Sequence, residues 1–153
     1  MKLALASDHA GFPLKQHLVR WLTQQGHEVI DLGVDTPDVP SDYPDAAAAV
    51  AQDVLDGRAE RAVLACGSGV GASIAASKFN GIYASVCHDT YSAHQGVEHD
   101  RMNVLCIGAR IIGPALAEEL VTAFVSAQPS SEERHVRRFE KMRAIERAER
   151  EGS

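Results

Sequence analysis

The segment AVLACGSGVG, residues 62–71, places a strand-length apolar run directly before three glycines in five residues. Ala62–Cys66 is apolar at consecutive positions, which is typical of a strand covered on both faces of a sheet. Glycines let the backbone turn tightly and bring successive N–H groups into one concavity, before a helix that we expect to begin near Ala72. Such a concavity binds an anion, either a phosphate or an oxyanion formed during a reaction. The alternative is a tight turn with no ligand.

The same strand-then-helix pattern recurs along the whole chain. Four further runs have strand length, namely Lys2–Ser7, Glu28–Leu32, Tyr83–Cys87 and Val104–Ile107. Between them lie apolar stripes at helical spacing, such as Leu14, Leu18 and Leu22. This order predicts an α/β fold, a Rossmann-like doubly wound sheet of five parallel strands with helices on both faces. In such sheets ligands bind at the carboxyl ends of the strands, near the switch in strand order.

Length and composition limit the possible classes of protein. The 153 residues fit a single domain, 1–153, whose charged segment 132–153 predicts an extended C-terminal helix that reaches a partner subunit or the domain edge. The net charge of −6 disfavours a nonspecific nucleic-acid binder. Apolar runs are too short for a membrane span, so we expect no membrane partner. The three cysteines favour reduced thiols in a cytoplasmic protein over a disulfide framework.

Cys66 is the candidate nucleophile or base. A thiol at the end of a strand that faces the start of a helix is stabilised as the thiolate. Cys87 and Cys106 lie inside strand patterns, where a buried small hydrophobic residue is expected. Ser68 either adds a hydroxyl to the concavity or caps the helix.

Two other kinds of site, a dinucleotide site and a zinc site, are also considered. Gly67, Gly69 and Ala72 match the dinucleotide-binding pattern, and Asp89 follows at the distance of the ribose-binding acid. The pattern lies in the third strand–helix turn, however, whereas the fingerprint usually opens the first unit. A zinc site at His88, His94 and His99 is disfavoured, because these spacings do not place the histidines on one helical face.

Charged side chains at two other places could complete an anion site. Asp8 and His9 end the first strand, although an aspartate there could only cap the next helix. Arg134 and Arg138 lie four residues apart on one helix face, where they form either a phosphate clamp or a solvated surface. Arg110 ends the last strand and is predicted to point toward the edge of the sheet that carries the glycine loop.

An ordered set of motifs resembles the type B ribose-5-phosphate isomerases and the related galactose- and allose-6-phosphate isomerases. The motifs are SDHAG (7–11), DYP (42–44), CGSGVG (66–71), KF (78–79) followed by GI (81–82), His99 with NVL (103–105), GAR (108–110), and Arg134-His135 with Arg138. The resemblance implies a homodimer or a dimer of dimers with active sites across the subunit interface. It also implies a phosphorylated sugar as substrate, and no metal or organic cofactor.

The resemblance assigns roles to individual residues. Cys66 resembles the base that moves a proton between C1 and C2 of the sugar phosphate, Ser68 the residue that relays protons between the two oxygens, and His99 the acid that helps to open the ring. The backbone of Gly67, Ser68, Gly69, Val70 and Gly71 resembles the anion hole for the enediolate. The other residues implied to bind substrate are Asp8, His9, Tyr43, Asp100, Arg110, Arg134 and Arg138, of which the three arginines resemble the phosphate ligands.

One residue departs from the family pattern. Asp100 stands where asparagine usually follows the histidine, which adds a negative charge near a phosphorylated substrate. Interconversion of ribose 5-phosphate and ribulose 5-phosphate is therefore the first hypothesis, and another aldose phosphate, such as allose 6-phosphate, galactose 6-phosphate or a tetrose phosphate, is the alternative. A small dinucleotide-binding module and a noncatalytic phosphate-binding domain rank below these.

Overall fold

Five strands and six helices alternate along the chain in the computed structural model, which describes residues 1–152. The strands are β1 (Lys2–Ser7), β2 (Glu28–Asp31), β3 (Arg61–Cys66), β4 (Ala84–Val86) and β5 (Val104–Gly108). The helices are α1 (Phe12–Gln24), α2 (Tyr43–Leu55), α3 (Val70–Ala76), α4 (Thr90–Asp100), α5 (Pro114–Ser126) and α6 (Glu133–Glu151). No helix within the described range is long and apolar enough to cross a membrane.

The sheet confirms the predicted class. All neighbouring strands are parallel, in the order β2-β1-β3-β5-β4. β2 lies on one side of β1, and β3 lies on the other side. The switch in strand order therefore lies between β1 and β3, where Ser7 pairs with Ala65. The segments that begin at Asp8 and Gly67 both leave the sheet at this point.

Two hydrophobic clusters cover the two faces of the sheet. On one face Leu3 and Leu5 of β1 pack with buried residues of α1, α4 and α5. On the other face Ala4 and Ala6 pack with α2 and α3, where small residues let the helices lie close to the strands. The predicted helices on both faces are thereby confirmed.

The largest differences between the predicted and the observed boundaries are at α3 and β4. Helix α3 begins at Val70 rather than near Ala72, because Gly69 adopts a left-handed conformation (φ +81°) and already ends the loop. Strand β4 is shorter than the predicted Tyr83–Cys87, because the N–H of Tyr83 donates to the side chain of Asn103 instead of joining the ladder.

The helices that follow the strands return the chain to the opposite end of the sheet. We call the end where the strands finish the carboxyl end, and the end where they start the amino end. Helix α4 leaves β4 at the carboxyl end and finishes at the amino end, just before β5 starts. Helix α6 begins beside the last turn of α4, where the ring of His135 stacks on that of His99 with 3.9 Å between centroids. Phe139 of α6 then packs edge-on against Tyr83 at the start of β4.

Candidate active site

The sulfur of Cys66 lies inside the glycine loop at the carboxyl end. Cys66 is the last residue of β3 and is 4% exposed. The backbone N–H of Gly69 donates to its Sγ at 3.1 Å. A donor aimed at sulfur stabilises negative charge on it. Because α3 has only seven residues, the N–H groups of the loop rather than a long helix dipole carry this stabilisation.

Two other predicted site residues pack directly against this loop. A Cβ at Gly67 would lie 3.5 Å from the guanidinium Nη1 of Arg110, so this arginine covers the start of the loop. The backbone N–H of Arg110 also donates to the carbonyl of Gly67 at 3.0 Å. A Cβ at Gly71 would lie 2.6 Å from Cζ of Tyr43, so the phenol ring covers the end of the loop. The structure therefore brings Arg110 and Tyr43 to the glycine loop that follows Cys66.

Asp8 and His9 stand at the neighbouring strand end. One carboxylate oxygen of Asp8 accepts the N–H of Gly11 at 3.0 Å and so stabilises the turn before α1. The N-cap of that helix is Gly11, so the alternative role of Asp8 as a helix cap is wrong. Gly11 itself has no room for a side chain, since a Cβ there would lie 2.2 Å from the carbonyl oxygen of Ala65. The tight approach of the two segments holds His9 next to the loop after β3.

A further histidine at the carboxyl end had no predicted role. The Nε2 atom of His88 accepts the backbone N–H of Gly108 at 3.0 Å, and Gly108 pairs with Cys66 in the sheet. The position of His88 directly after a strand is the sequence signal for it. From the sequence, His88 was predicted only as a disfavoured zinc ligand.

The remaining predicted residues lie at the amino end of the sheet, opposite Cys66. His99 and Asp100 end α4, and Arg134 and Arg138 lie on the first turns of α6. Both arginines and Asp100 are exposed. A strand such as β5, which spans about 15 Å, separates this set from Cys66. Within one chain, the predicted residues at the amino end of the sheet therefore do not reach the thiol of Cys66.

The other two thiols, one directly after β4 and one within β5, have different surroundings. Burial raises the pKa of Cys87 and of Cys106 above that of an ordinary thiol. Both side chains are packed in the core clusters, as predicted from their positions in apolar runs. Of the three cysteines, only Cys66 accepts a backbone N–H from the glycine loop.

Comparison with known proteins places this arrangement in a family. The model of the ribose/galactose isomerase family matches residues 3–142. The chain belongs to this family. Among relatives of the ribose/galactose isomerase family, ribose-5-phosphate isomerase B of Escherichia coli is 44% identical over 145 residues, which cover 95% of this chain and 96% of that protein. The predicted resemblance is thereby confirmed.

Two further members bear on fold and substrate. The structure of ribose-5-phosphate isomerase B from Clostridium thermocellum superposes with a TM-score of 0.93 at 38% identity, covering 97% of this chain and 99% of that chain. A D-erythrulose-4-phosphate isomerase of Pectobacterium atrosepticum is 39% identical over 128 residues, or 84% of each protein. Membership in the ribose/galactose isomerase family accounts for the glycine pattern at residues 67–72 without a dinucleotide.

Proposed function

We propose that this protein is an aldose–ketose isomerase that interconverts ribose 5-phosphate and ribulose 5-phosphate, with Cys66 as the base. The observation that carries the proposal is the thiol of Cys66 inside a loop whose Gly69 N–H donates to its sulfur at 3.1 Å. Family membership and the 44% identity with a ribose-5-phosphate isomerase B support the reaction and the substrate.

The chemistry requires one base and one anion hole. The Cys66 thiolate removes the proton from C2 of the open-chain aldose, and the electron pair moves to the C1 oxygen to form an enediolate. Backbone N–H groups of residues 67–71 stabilise that charge because they are already oriented toward it. The proton then returns to C1 while the Ser68 hydroxyl passes a proton between the two oxygens, so no oxidant or reductant is consumed.

The complete site needs two copies of the chain. We assign ring opening to His99 and phosphate binding to Arg134 and Arg138. All three lie at the amino end of the sheet of their own chain, away from its Cys66. If the amino end of the sheet in a second copy met the carboxyl end of the sheet in the first, His99 and the arginines of α6 from one copy would lie beside Cys66 of the other. We therefore propose a homodimer, alone or within a dimer of dimers, with each active site formed by two subunits.

The surface around the glycine loop suits such a contact. Val70 and Ile74 of α3 are more than half exposed, as is Ile111 just after β5. Exposed apolar groups clustered beside a site are typical of an interface. The loop between β2 and α2 is acidic, whereas the start of α6 presents the exposed Arg138 beside Arg134 and Arg137, which pair with Glu132 and Glu133. Contact between these regions would join opposite charges.

Phosphate binding supplies energy for the reaction at a distance. Guanidinium groups bind phosphate through paired, charge-assisted hydrogen bonds, and Arg134 and Arg138 point from the same face of α6. The phosphate lies at the far end of the sugar from C1 and C2. Its binding energy therefore holds the reacting carbons against Cys66 and lowers the entropic cost of catalysis.

A tetrose phosphate is the second candidate substrate. The 39% identity with a D-erythrulose-4-phosphate isomerase favours it. Asp100 places a carboxylate where the family pattern has an amide, and this charge would act on the preference among sugar phosphates. The three unpaired cysteines support a reducing compartment, and we propose a cytoplasmic enzyme.

The test is an isomerase assay over aldose phosphates with four, five and six carbons. We expect the highest kcat/KM with ribose 5-phosphate. A preference for a four-carbon phosphate would replace the substrate but keep the reaction. Absence of turnover with every sugar phosphate, with or without added divalent metal, would contradict the proposal.

A further inference from the structure

His9 and Ser41 hold each other through reciprocal contacts. The backbone N–H of His9 donates to Ser41 Oγ at 2.9 Å, and the backbone N–H of Ser41 donates to His9 Nδ1 at 3.0 Å. Ser41 Oγ also lies 3.4 Å from Nδ1. The two residues are 32 positions apart, so a surface loop has been brought back to the end of β1 to make this pair.

The second of these bonds determines where the imidazole carries its proton. A backbone N–H can only donate, so Nδ1 of His9 must present a lone pair to Ser41. A neutral imidazole has one N–H group, which is then on Nε2. Protonation of Nδ1 would set two N–H groups against each other and leave the amide of Ser41 without its acceptor.

We propose that Ser41 is a positioning residue that holds Nδ1 of His9 as a hydrogen-bond acceptor, so that the ring N–H lies on Nε2 and donates a hydrogen bond to an oxygen atom of the bound sugar phosphate. The inference rests on the proposed function, since it concerns the substrate of the Cys66 site. It adds a direction to the contact, because His9 is a donor only. Abstraction of the substrate proton is thereby left to Cys66.

The loop that carries Ser41 is fastened at its start by a buried lysine. Lys15 of α1 is 2% exposed, and its ammonium donates to the carbonyls of Leu32 at 2.9 Å and Val34 at 2.7 Å. The same ammonium pairs with Asp31 at 2.8 Å. Three oxygen partners compensate for the burial of the charge, and they fix the path of the chain where it leaves β2.

The other end of this loop is fixed by a helix. Pro40 restricts the backbone immediately before Ser41, and α2 begins two residues later at Tyr43, whose ring packs on Gly71. Ser41 thus sits between two anchored points rather than at a free loop tip. Its N–H is held toward His9 before any substrate binds, which is the preorganisation that a binding contact needs.

The tautomer can be read directly by NMR of the full-length protein labelled with ¹⁵N-histidine. Long-range ¹H–¹⁵N correlations at neutral pH should show His9 with a protonated Nε2 and an unprotonated Nδ1. Ser41→Ala keeps the backbone N–H and should keep this pattern, whereas Ser41→Pro removes the N–H and should release Nδ1. A protonated Nδ1 in the wild-type protein would overturn the inference.

Two substitutions of His9 test the direction of the substrate contact even if Ser41→Pro does not fold. His9→Gln retains an N–H donor near the position of Nε2, and His9→Asn retains an acceptor near the position of Nδ1. We expect kcat/KM of His9→Gln to exceed that of His9→Asn by about 10-fold, the value of one substrate hydrogen bond. Equal activity, or a more active His9→Asn, would overturn the donor role.

The NMR experiment needs no substrate, which separates the two proposals. An Nε2–H tautomer in a protein that isomerises no sugar phosphate would overturn the proposed function and the substrate contact, but leave the role of Ser41 standing. An active isomerase with Nδ1 protonated would overturn the role of Ser41 alone.

Discussion

The histidines at the two ends of the sheet have opposite kinds of partners. At the carboxyl end His9 and His88 each accept a backbone N–H, from Ser41 and Gly108 respectively. At the amino end His99 lies 3.5 Å from the carboxylate of Glu98. A backbone donor requires a lone pair on the ring nitrogen that it contacts, whereas a carboxylate oxygen accepts an N–H of the ring.

This difference assigns different chemical tasks to the two ends of the sheet. The carboxyl end offers a thiol and neutral hydrogen-bond donors, which suit removal of a proton from carbon and stabilisation of an enediolate. The amino end offers an imidazole beside a carboxylate and exposed guanidinium groups, which suit protonation of a ring oxygen and binding of a phosphate. Substitutions of the groups that act on the reacting atoms, Cys66 and His99, should therefore affect mainly kcat, and those of the phosphate-binding arginines mainly KM.

The largest effect is expected for Cys66→Ala. Loss of the base should lower kcat by about 10²- to 10⁴-fold, while KM changes little because the phosphate contacts remain. Steady-state kinetics with the preferred aldose phosphate provide the measurement. Cys87→Ala is the matched control, since that thiol is buried in the core and should leave kcat within about 2-fold. Retained turnover in Cys66→Ala would remove the thiol from the mechanism.

Arg138→Ala should produce the opposite kinetic pattern. Loss of a charge-assisted phosphate contact should raise KM by about 10- to 100-fold, with a smaller fall in kcat. Arg137→Ala is the control, because Arg137 is paired with Glu133 at 2.6 Å on the exposed surface. If the two variants behave alike, Arg138 belongs to the solvated surface.

Gly71→Ala tests the packing that closes the glycine loop. The new methyl group would lie 2.6 Å from the Tyr43 ring, so the ring or the loop must move. We expect kcat/KM to fall by about 10-fold, since small displacements near reacting atoms are costly. Gly113→Ala is the control, because nothing lies within 4 Å of a Cβ there. Unchanged kinetics would show that Tyr43 does not shape the site.

The smallest effect is expected for Asp100→Asn. Removal of one exposed negative charge near the phosphate should lower KM by about 2- to 5-fold at low ionic strength, and the difference should shrink as salt is added. A change in the ratio of kcat/KM between four- and five-carbon substrates would identify Asp100 as a determinant of sugar preference. No change in KM or in that ratio would place Asp100 away from the substrate.

Periodicity and glycine placement were sufficient to predict the sheet and the loop around Cys66. Consecutive apolar residues in Ala62–Cys66 required a strand covered on both faces, and the observed strand Arg61–Cys66 agrees. The start of α3 was misplaced because the left-handed conformation of Gly69 is a property of the folded loop. The residue pattern alone does not fix such a dihedral angle.

Contacts between distant segments were beyond prediction from the residues. Lys15 falls among the apolar positions of α1, yet it is buried because carbonyls of the next loop and Asp31 surround its ammonium. The pairing of Ser41 with His9 depends on the path of the same loop. The family resemblance implied active sites across the subunit interface, but only the topology shows that α4 carries His99 to the opposite end of the sheet from Cys66.

Subunit mixing tests most directly whether each active site combines Cys66 of one chain with His99 of another. Cys66→Ala and His99→Ala are each expected to be inactive alone, and they are to be unfolded together and refolded as an equal mixture. In a mixed dimer one of the two sites would receive the native Cys66 of one chain and the native His99 of the other. Random pairing should therefore restore about a quarter of wild-type activity. A mixture as inactive as its components, although mixed dimers form, would contradict a site shared between subunits.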